Sequence, residues 1–477
     1  MTDTQKIREA IAQALPLTTS NHGETPDARE VYLPPAHVKA LRLECNLVIG
    51  ARGVGKSFWT AALGSTSLRA LLKNSVSELE YTDVTTGFAK TENPSEYPDK
   101  ETFAQLMEGG YTPYEIWRSV VVRWLAVTTK STFPKEEWRQ SVAWVKQNPE
   151  PVAKLLQNAN NFFLQQQRFG LIVFDALDLT SDNWETMDVI VRDLLRVTLW
   201  LKSFTRLHAK VFLREDQAER TVTNFPDASK LLATKAELTW APHDLHGLLW
   251  HMFCNSVGAD GEYLRGVYEK ALGVAPRSES GVFLISDEVQ RDTASQRGLF
   301  EVLAGAWMGK DRRRGVPYVW SVSHLADARG RTSPRSFLAA MRQAAEDSLE
   351  KYPAHPYALH YESIKRGVQK ASEIRVQEMA EDYPWVTRVM EPLKGFTVPC
   401  EFATIEAAWI VAFGPVLDAS TLNKLPPQHI GRGWEGVHKD LERLGIFETK
   451  KDGRINLPDL YRVGFGLGRR GGVKPVK

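Results

Sequence analysis

An α/β fold, with a doubly wound parallel sheet followed by a helical lid and a C-terminal winged-helix module, is predicted by three stretches of this sequence. In the first, Leu43–Trp59, the apolar run Leu47, Val48, Ile49 leads into a glycine-rich turn and then a helix start. The second is FGLIVFDALD, where Leu171–Phe174 reads as a strand buried on both faces and ends in Asp175. The third lies near the C-terminus. A helix over Val437–Leu444 stops at Gly445, and two short apolar segments flank Lys451-Asp452-Gly453, a strong hairpin cue. Strand, loop and helix repeat in that order, which selects a parallel sheet with its binding chemistry at the carboxyl edge.

The turn after the first strand fits G-x-x-x-x-G-K-S through Gly50, Gly53, Gly55, Lys56 and Ser57, the Walker A loop of a P-loop NTPase. Glycines let backbone N–H groups curl around phosphate oxygens with no Cβ in the way. The helix start adds a partial positive charge. Gly50, Ala51, Arg52, Gly53, Val54, Gly55, Lys56, Ser57 and Phe58 are therefore the expected nucleotide contacts. Lys56 reaches the terminal phosphates, and Ser57 is a magnesium ligand. Asp175 sits at the strand end where an acid holds the same ion, and Asp178 is a second carboxylate three residues on. The competing reading for Asp178 or Asp182 is a helix N-cap. A third buried strand, AKVFL, ends at Arg214, which is either a γ-phosphate sensor or an ordinary ion-pair partner.

Bulk properties narrow the class. The 477 residues are 43% hydrophobic and 25% charged, an ordinary globular balance, and that length suggests about three domains. A net charge of +2 gives no global attraction to polyanions. Cys45, Cys254 and Cys400 lie far apart, without metal spacing or a disulfide framework, as expected in a reducing cytoplasm. The first residues lack the apolar core of a signal peptide, and no apolar run approaches the ~20 residues that span a bilayer, so no membrane is expected.

Boundaries are expected at 1–40 (leader), 41–242 (P-loop core), 243–350 (helical lid), 351–403 (helical connector) and 404–477 (winged helix with a basic tail). A single helix is predicted over 57–73. Within the lid, Ser333 and Pro334 suit a helix start, which puts Arg335 one residue in. That arginine either contacts the γ-phosphate or pairs with a carboxylate such as Glu346 or Asp347. Lys310–Arg314 reads first as a solvated basic turn, with an arginine finger or phosphate contact as the functional alternative. Arg462, Arg469, Arg470, Lys474 and Lys477 read as an acid-free basic tail.

GARGVGKS, LIVFDALD, VFLRED, SPRSFL and a terminal winged helix occur in this order, which resembles the STAND and origin-recognition branch of AAA-type P-loop ATPases. The resemblance covers most of the chain from residue 41, and only the Walker A match is highly specific. It implies a cytoplasmic, ATP- and magnesium-dependent switch. Lys56, Ser57 and Asp175 would bind Mg-ATP, and Arg335 resembles the second sensor. Many members carry Asp-Glu where this chain has Asp175-Ala176, so the glutamate that orients the attacking water in those members has no counterpart at 176, and Asp178 is the candidate second carboxylate. Self-association or a protein effector is the implied partner, with DNA a candidate through the winged helix and tail. Bacterial members are common in antiphage systems. Two alternatives stay open: a DNA-binding loader of the origin-recognition type, and a scaffold that holds ATP without hydrolysing it.

Overall fold

A computed structural model describes residues 3–16, 24–219, 221–418, 422, 425–470 and 473–475. The chain divides into two compact units. One comprises residues 33–239 with 24–28; the other comprises the described residues of 1–19, 29–32 and 240–477.

The first unit is built on five parallel strands: β1 (Leu47–Gly50), β2 (Thr82–Phe88), β3 (Phe169–Phe174), β4 (Leu207–Arg214) and β5 (Ala236–Glu237). Their order in space is β2-β3-β4-β1-β5. After β1 the chain crosses to the far edge and works back through β3 and β4. It then passes β1 to add β5 on the other side. The direction of travel reverses beside β1, and ligands of open α/β sheets bind at such a point. Because β1, β3 and β4 run parallel, with β4 between the other two, the loop after β1, Asp175 after β3 and Arg214 at the end of β4 all open from one sheet edge.

Packing explains the strands. All four residues of β1 are buried, as are five of the six in β3, so both read as continuous apolar runs rather than alternating ones. The aromatic stripe of helix Pro113–Thr128 is core. Trp117 is fully buried against Phe174, Phe88 and Phe103, and its indole N–H donates to Ile190 O at 3.0 Å. The helix expected over 57–73 is two helices, Lys56–Gly64 and Thr66–Leu72. Ser65 leaves the helical region at φ −87°, ψ 122°, and its hydroxyl accepts from Leu68 N, so a cap replaces a continuous turn.

Lys210 on β4 is wholly buried. Its ammonium donates to Ala40 O (2.7 Å), Arg42 O (2.9 Å) and Cys45 O (2.5 Å). It thereby satisfies the carbonyl end of helix Pro35–Leu41 and the lead-in to β1. Burial pulls its pKa down to about 8.

The second unit is mostly helical. Ser333 caps helix Pro334–Lys351 by accepting from Ser336 N, with Pro334 in the first turn. That helix packs along Tyr361–Asp382. Residues 3–14, read from sequence as part of a leader, form a helix against Gly258–Leu272 and Pro334–Lys351. Its Arg8 is fully buried and donates to the carbonyls of Ala358 (2.8 Å), Tyr357 (2.8 Å), Pro353 (3.2 Å) and His355 (3.2 Å).

Toward the C-terminus, helices Phe402–Phe413 and Gly433–Arg443 precede an antiparallel pair in which Ile455 faces Thr449 and Asn456 faces Glu448. Gly453 takes φ 84° in the connecting turn, a conformation that favours glycine. The basic tail is corrected here. Arg462 is fully buried and bonds Asp459 Oδ1 at 2.7–2.8 Å, while Arg469 bonds Asn456 and Asp459. Arg462 is an internal staple and Arg469 a half-buried one, while Arg470 and Lys474 are exposed as a basic tail would be. Lys477 lies outside the described residues. Among the described residues, no helix is long and apolar enough to cross a membrane.

Candidate functional site

The site begins where β1 runs out. Gly50 permits the first bend, since a Cβ there would lie 2.7 Å from Val54 Cγ2 and 3.3 Å from Leu238 Cβ. Gly53 and Gly55 take φ of 78° and 105°, and Gly55 is the N-cap of the next helix without any side-chain cap. The first residues of that helix, Lys56, Ser57 and Phe58, therefore present N–H groups with no intrahelical acceptor. A glycine-lined concavity at a helix start is suited to phosphate oxygens.

Lys56 turns back over this loop, donating to Gly50 O and Ala51 O at 2.9 Å each. Burial lowers its pKa to about 8, opposed first by the Asp175 carboxylate and reinforced by Arg214. Asp175 is 5% exposed, and its backbone N–H donates to Phe88 O at 2.9 Å. Burial raises its pKa, against the Ser57 hydroxyl that hydrogen-bonds it and the Lys56 charge. Ser57 itself is exposed. Lys56, Ser57 and Asp175 thus converge, though 118 residues separate the last two in sequence (175 − 57).

Arg214 stands between two carboxylates. It donates to Asp178 Oδ2 at 3.3 Å and to Asp216 Oδ1 at 3.3 Å. Asp178 lies in a short 3₁₀ turn, Leu177–Leu179, rather than at a helix N-cap; the following helix is capped by Asn183. Ala176, where an Asp-Glu pair would place its second acid, is in the left-handed region at φ 55°, which costs a non-glycine residue about 1 kcal/mol or more. Phe58 packs edge-on against Trp59 at 5.2 Å. Ala51, Arg52 and Val54 complete the loop.

Arg335 belongs to the other unit. It pairs there with Glu378, while Glu346 is held by Arg342 and Asp347 by Lys351 and Arg366. In the Lys310–Arg314 turn, Asp311 accepts from Arg313 N, and Arg313 is 86% exposed.

Sequence reasoning missed His37. Trp59, on the helix after the loop, donates its indole N–H to His37 Nδ1 at 3.0 Å, which leaves Nε2–H to donate to Thr239 O at 3.0 Å. Burial lowers the imidazole pKa to about 4, so the ring is neutral and its tautomer is fixed by these two bonds. The relay ties the phosphate-loop helix to helix Pro35–Leu41 and to the residues after β5. Its partners are 22 and 202 residues away, separations at which no local motif exists.

No protein-family model and no curated protein matches the chain by sequence. Three solved structures overlap it in part. The Aeropyrum pernix ORC2 protein in ADPNP–ADP complexes is 13% identical, with 87% of this chain and 84% of that one covered and a TM-score of 0.40. The ORC1 protein of the same organism, in complex with DNA, is 14% identical, with 91% of each chain covered and a TM-score of 0.34. The ADP form of the ORC2 protein is 12% identical, with 87% and 83% covered and a TM-score of 0.31. Overlaps of this size assign neither a family nor a ligand.

Proposed function

We propose that the loop Gly50–Ser57 binds a nucleoside triphosphate, ATP by preference, and that the chain is a slowly hydrolysing switch. Its nucleotide state would control assembly or an effector. The observation that carries this reading is the convergence of the Lys56 ammonium, the Ser57 hydroxyl and the Asp175 carboxylate at the mouth of a glycine loop on a helix start. Ser57 and Asp175 are a hard oxygen pair suited to magnesium, which would neutralise phosphate charge. The preference for ATP rests on the absence of an N-K-x-D guanine-reading motif.

Slow turnover follows from the second carboxylate. Asp178 is the acid placed to orient a water in the absence of a glutamate after Asp175, but Arg214 holds it. Asp178→Asn is expected to cut steady-state ATP turnover at least about tenfold with little change in ATP affinity. Asp175→Asn is expected to lose turnover and also magnesium dependence of binding. Full activity in both variants rejects the carboxylate roles. The same Arg214–Asp178 pair favours a second reading, a scaffold that holds ATP without turning it over. Bound, unhydrolysed ATP after prolonged incubation of wild type selects that reading.

The Lys56 pKa gives a pH test. Its ammonium is charged below about pH 8 in the free protein, and a bound polyphosphate raises that value again. The ligand-bound form therefore holds more protons above pH 8 than the free form. Affinity should be level up to about pH 7.5 and fall as pH rises beyond 8, with proton uptake on binding. Calorimetry at pH 8.5 in two buffers of different ionisation enthalpy measures this. Proton release there contradicts the assignment.

A further inference from the structure

A cavity of about 650 Å³ lies inside the helical unit, between the segment 317–332 and the hairpin region 448–469. That volume is in the range of small-molecule sites. Val319, Val322, Pro242 and Pro458 supply apolar wall. Val319 is 58% exposed.

The polar side of the cavity contains a conflict. Asp459 is 4% exposed, and its Oδ1 takes the bonds from Arg462 and Arg469. Its Oδ2 is buried without a hydrogen-bond partner among the described residues. The group facing it is His324 Nε2 at 3.8 Å. His324 Nδ1 lies 3.0 Å from Trp320 O, and because a carbonyl only accepts, Nδ1 carries the proton. In the neutral ring Nε2 is then a bare acceptor, and burial favours the neutral ring. Two acceptors therefore face each other 3.8 Å apart with no donor between them. A buried acceptor without a donor is costly. One N–H₂ group placed about 2.9 Å from each satisfies both at once.

Charge decides which kind of N–H₂ fits. Arg462 and Arg469 already bond Asp459, and Lys450 also lines the cavity. The other two lining carboxylates are also paired, Glu448 with Lys450 and Asp327 with Arg331; each acid already has its cation, so a neutral donor is favoured over an ammonium. His324 is also stacked on Trp320, with centroids 3.9 Å apart, which gives that wall a flat, rigid side. We propose that this cavity binds an amino-substituted heterocycle of the nucleobase class, with its exocyclic N–H₂ between Asp459 Oδ2 and His324 Nε2.

The test uses the full chain and phosphate-free probes, so that it does not depend on the loop Gly50–Ser57. Cytidine and uridine differ at this group by amino against oxo, as do adenosine and inosine. Ligand-observed NMR and calorimetry should show each amino compound binding at least about tenfold more tightly than its oxo partner. Asp459→Asn, which turns the acceptor into a donor, should abolish that preference. Because this variant also touches Arg462, Val319→Trp is the second arm: it fills the cavity from an exposed position and should remove binding from a chain with unchanged circular dichroism. Equal binding of amino and oxo partners, binding by none of the four up to about 10 mM, the concentration at which a Kd corresponds to only about −2.7 kcal/mol, or undiminished binding by folded Val319→Trp overturns the proposal.

Discussion

Replacing Lys56 by alanine is expected to weaken triphosphate binding by about 2–5 kcal/mol, roughly 30- to 5,000-fold, while the fold survives. The reason for the size is the loss of a charge held over the loop: Arg214, whose field also reaches Lys56, is committed to Asp178 and Asp216. The reason for the intact fold is local. Among the described residues the Lys56 ammonium bonds Gly50 O and Ala51 O of its own half-buried loop, and water can replace it there. Titration with a fluorescent ATP analogue, beside circular dichroism, reads both effects. A folded variant with wild-type affinity would sink the site assignment.

Lys210 is expected to give the largest stability loss. Its three donors are all used on backbone carbonyls, buried at Ala40 and Cys45 and part-buried at Arg42. Lys210→Met keeps the length and apolar stem of the side chain but leaves those carbonyls without a partner. The penalty should be about 3–5 kcal/mol, the range for breaking a buried charged contact. Urea unfolding should show the transition of the sheet-bearing unit at clearly lower denaturant. A loss under about 1 kcal/mol means the carbonyls find water, and the clamp is then not a stability element.

These two lysines show what can be read from sequence and what cannot. Lys56 sits in a motif whose spacing encodes the backbone shape it needs. Lys210 sits in AKVFL, which reads correctly as a buried strand, yet its partners are carbonyls, and every residue has a carbonyl. β1, β3 and β4 were legible because strands covered on both faces leave apolar runs. The β2-β3-β4-β1-β5 order was not, because crossovers fix it and no residue pattern marks which neighbour a strand takes. The helix over 57–73 failed for an opposite reason: its apolar spacing continues across Ser65, and a single cap bond breaks it. The tail failed at Arg462 and in part at Arg469, because charge in a sequence says nothing of depth. Arg462 and Asp459, three residues apart, face one another inside the fold. Arg335 kept its place at a helix start, but its partner, Glu378, came from a helix the spacing did not point to.

The Arg8 clamp has a consequence for how the chain is made. Its carbonyl partners lie 345 to 350 residues downstream. At the ~5–20 residues per second of ribosomal synthesis, roughly 20–70 s pass between the emergence of that helix and of the loop that receives it. The phosphate-loop unit, whose residues all come earlier than that loop, has its whole sequence available in the interval. Birth order therefore favours a nascent chain that closes its sheet-bearing unit first, with the amphipathic helix still waiting for its partners. Ribosome-stalled chains ending near residue 280 should already resist protease over 33–239 while the bond after Arg8 is still cut.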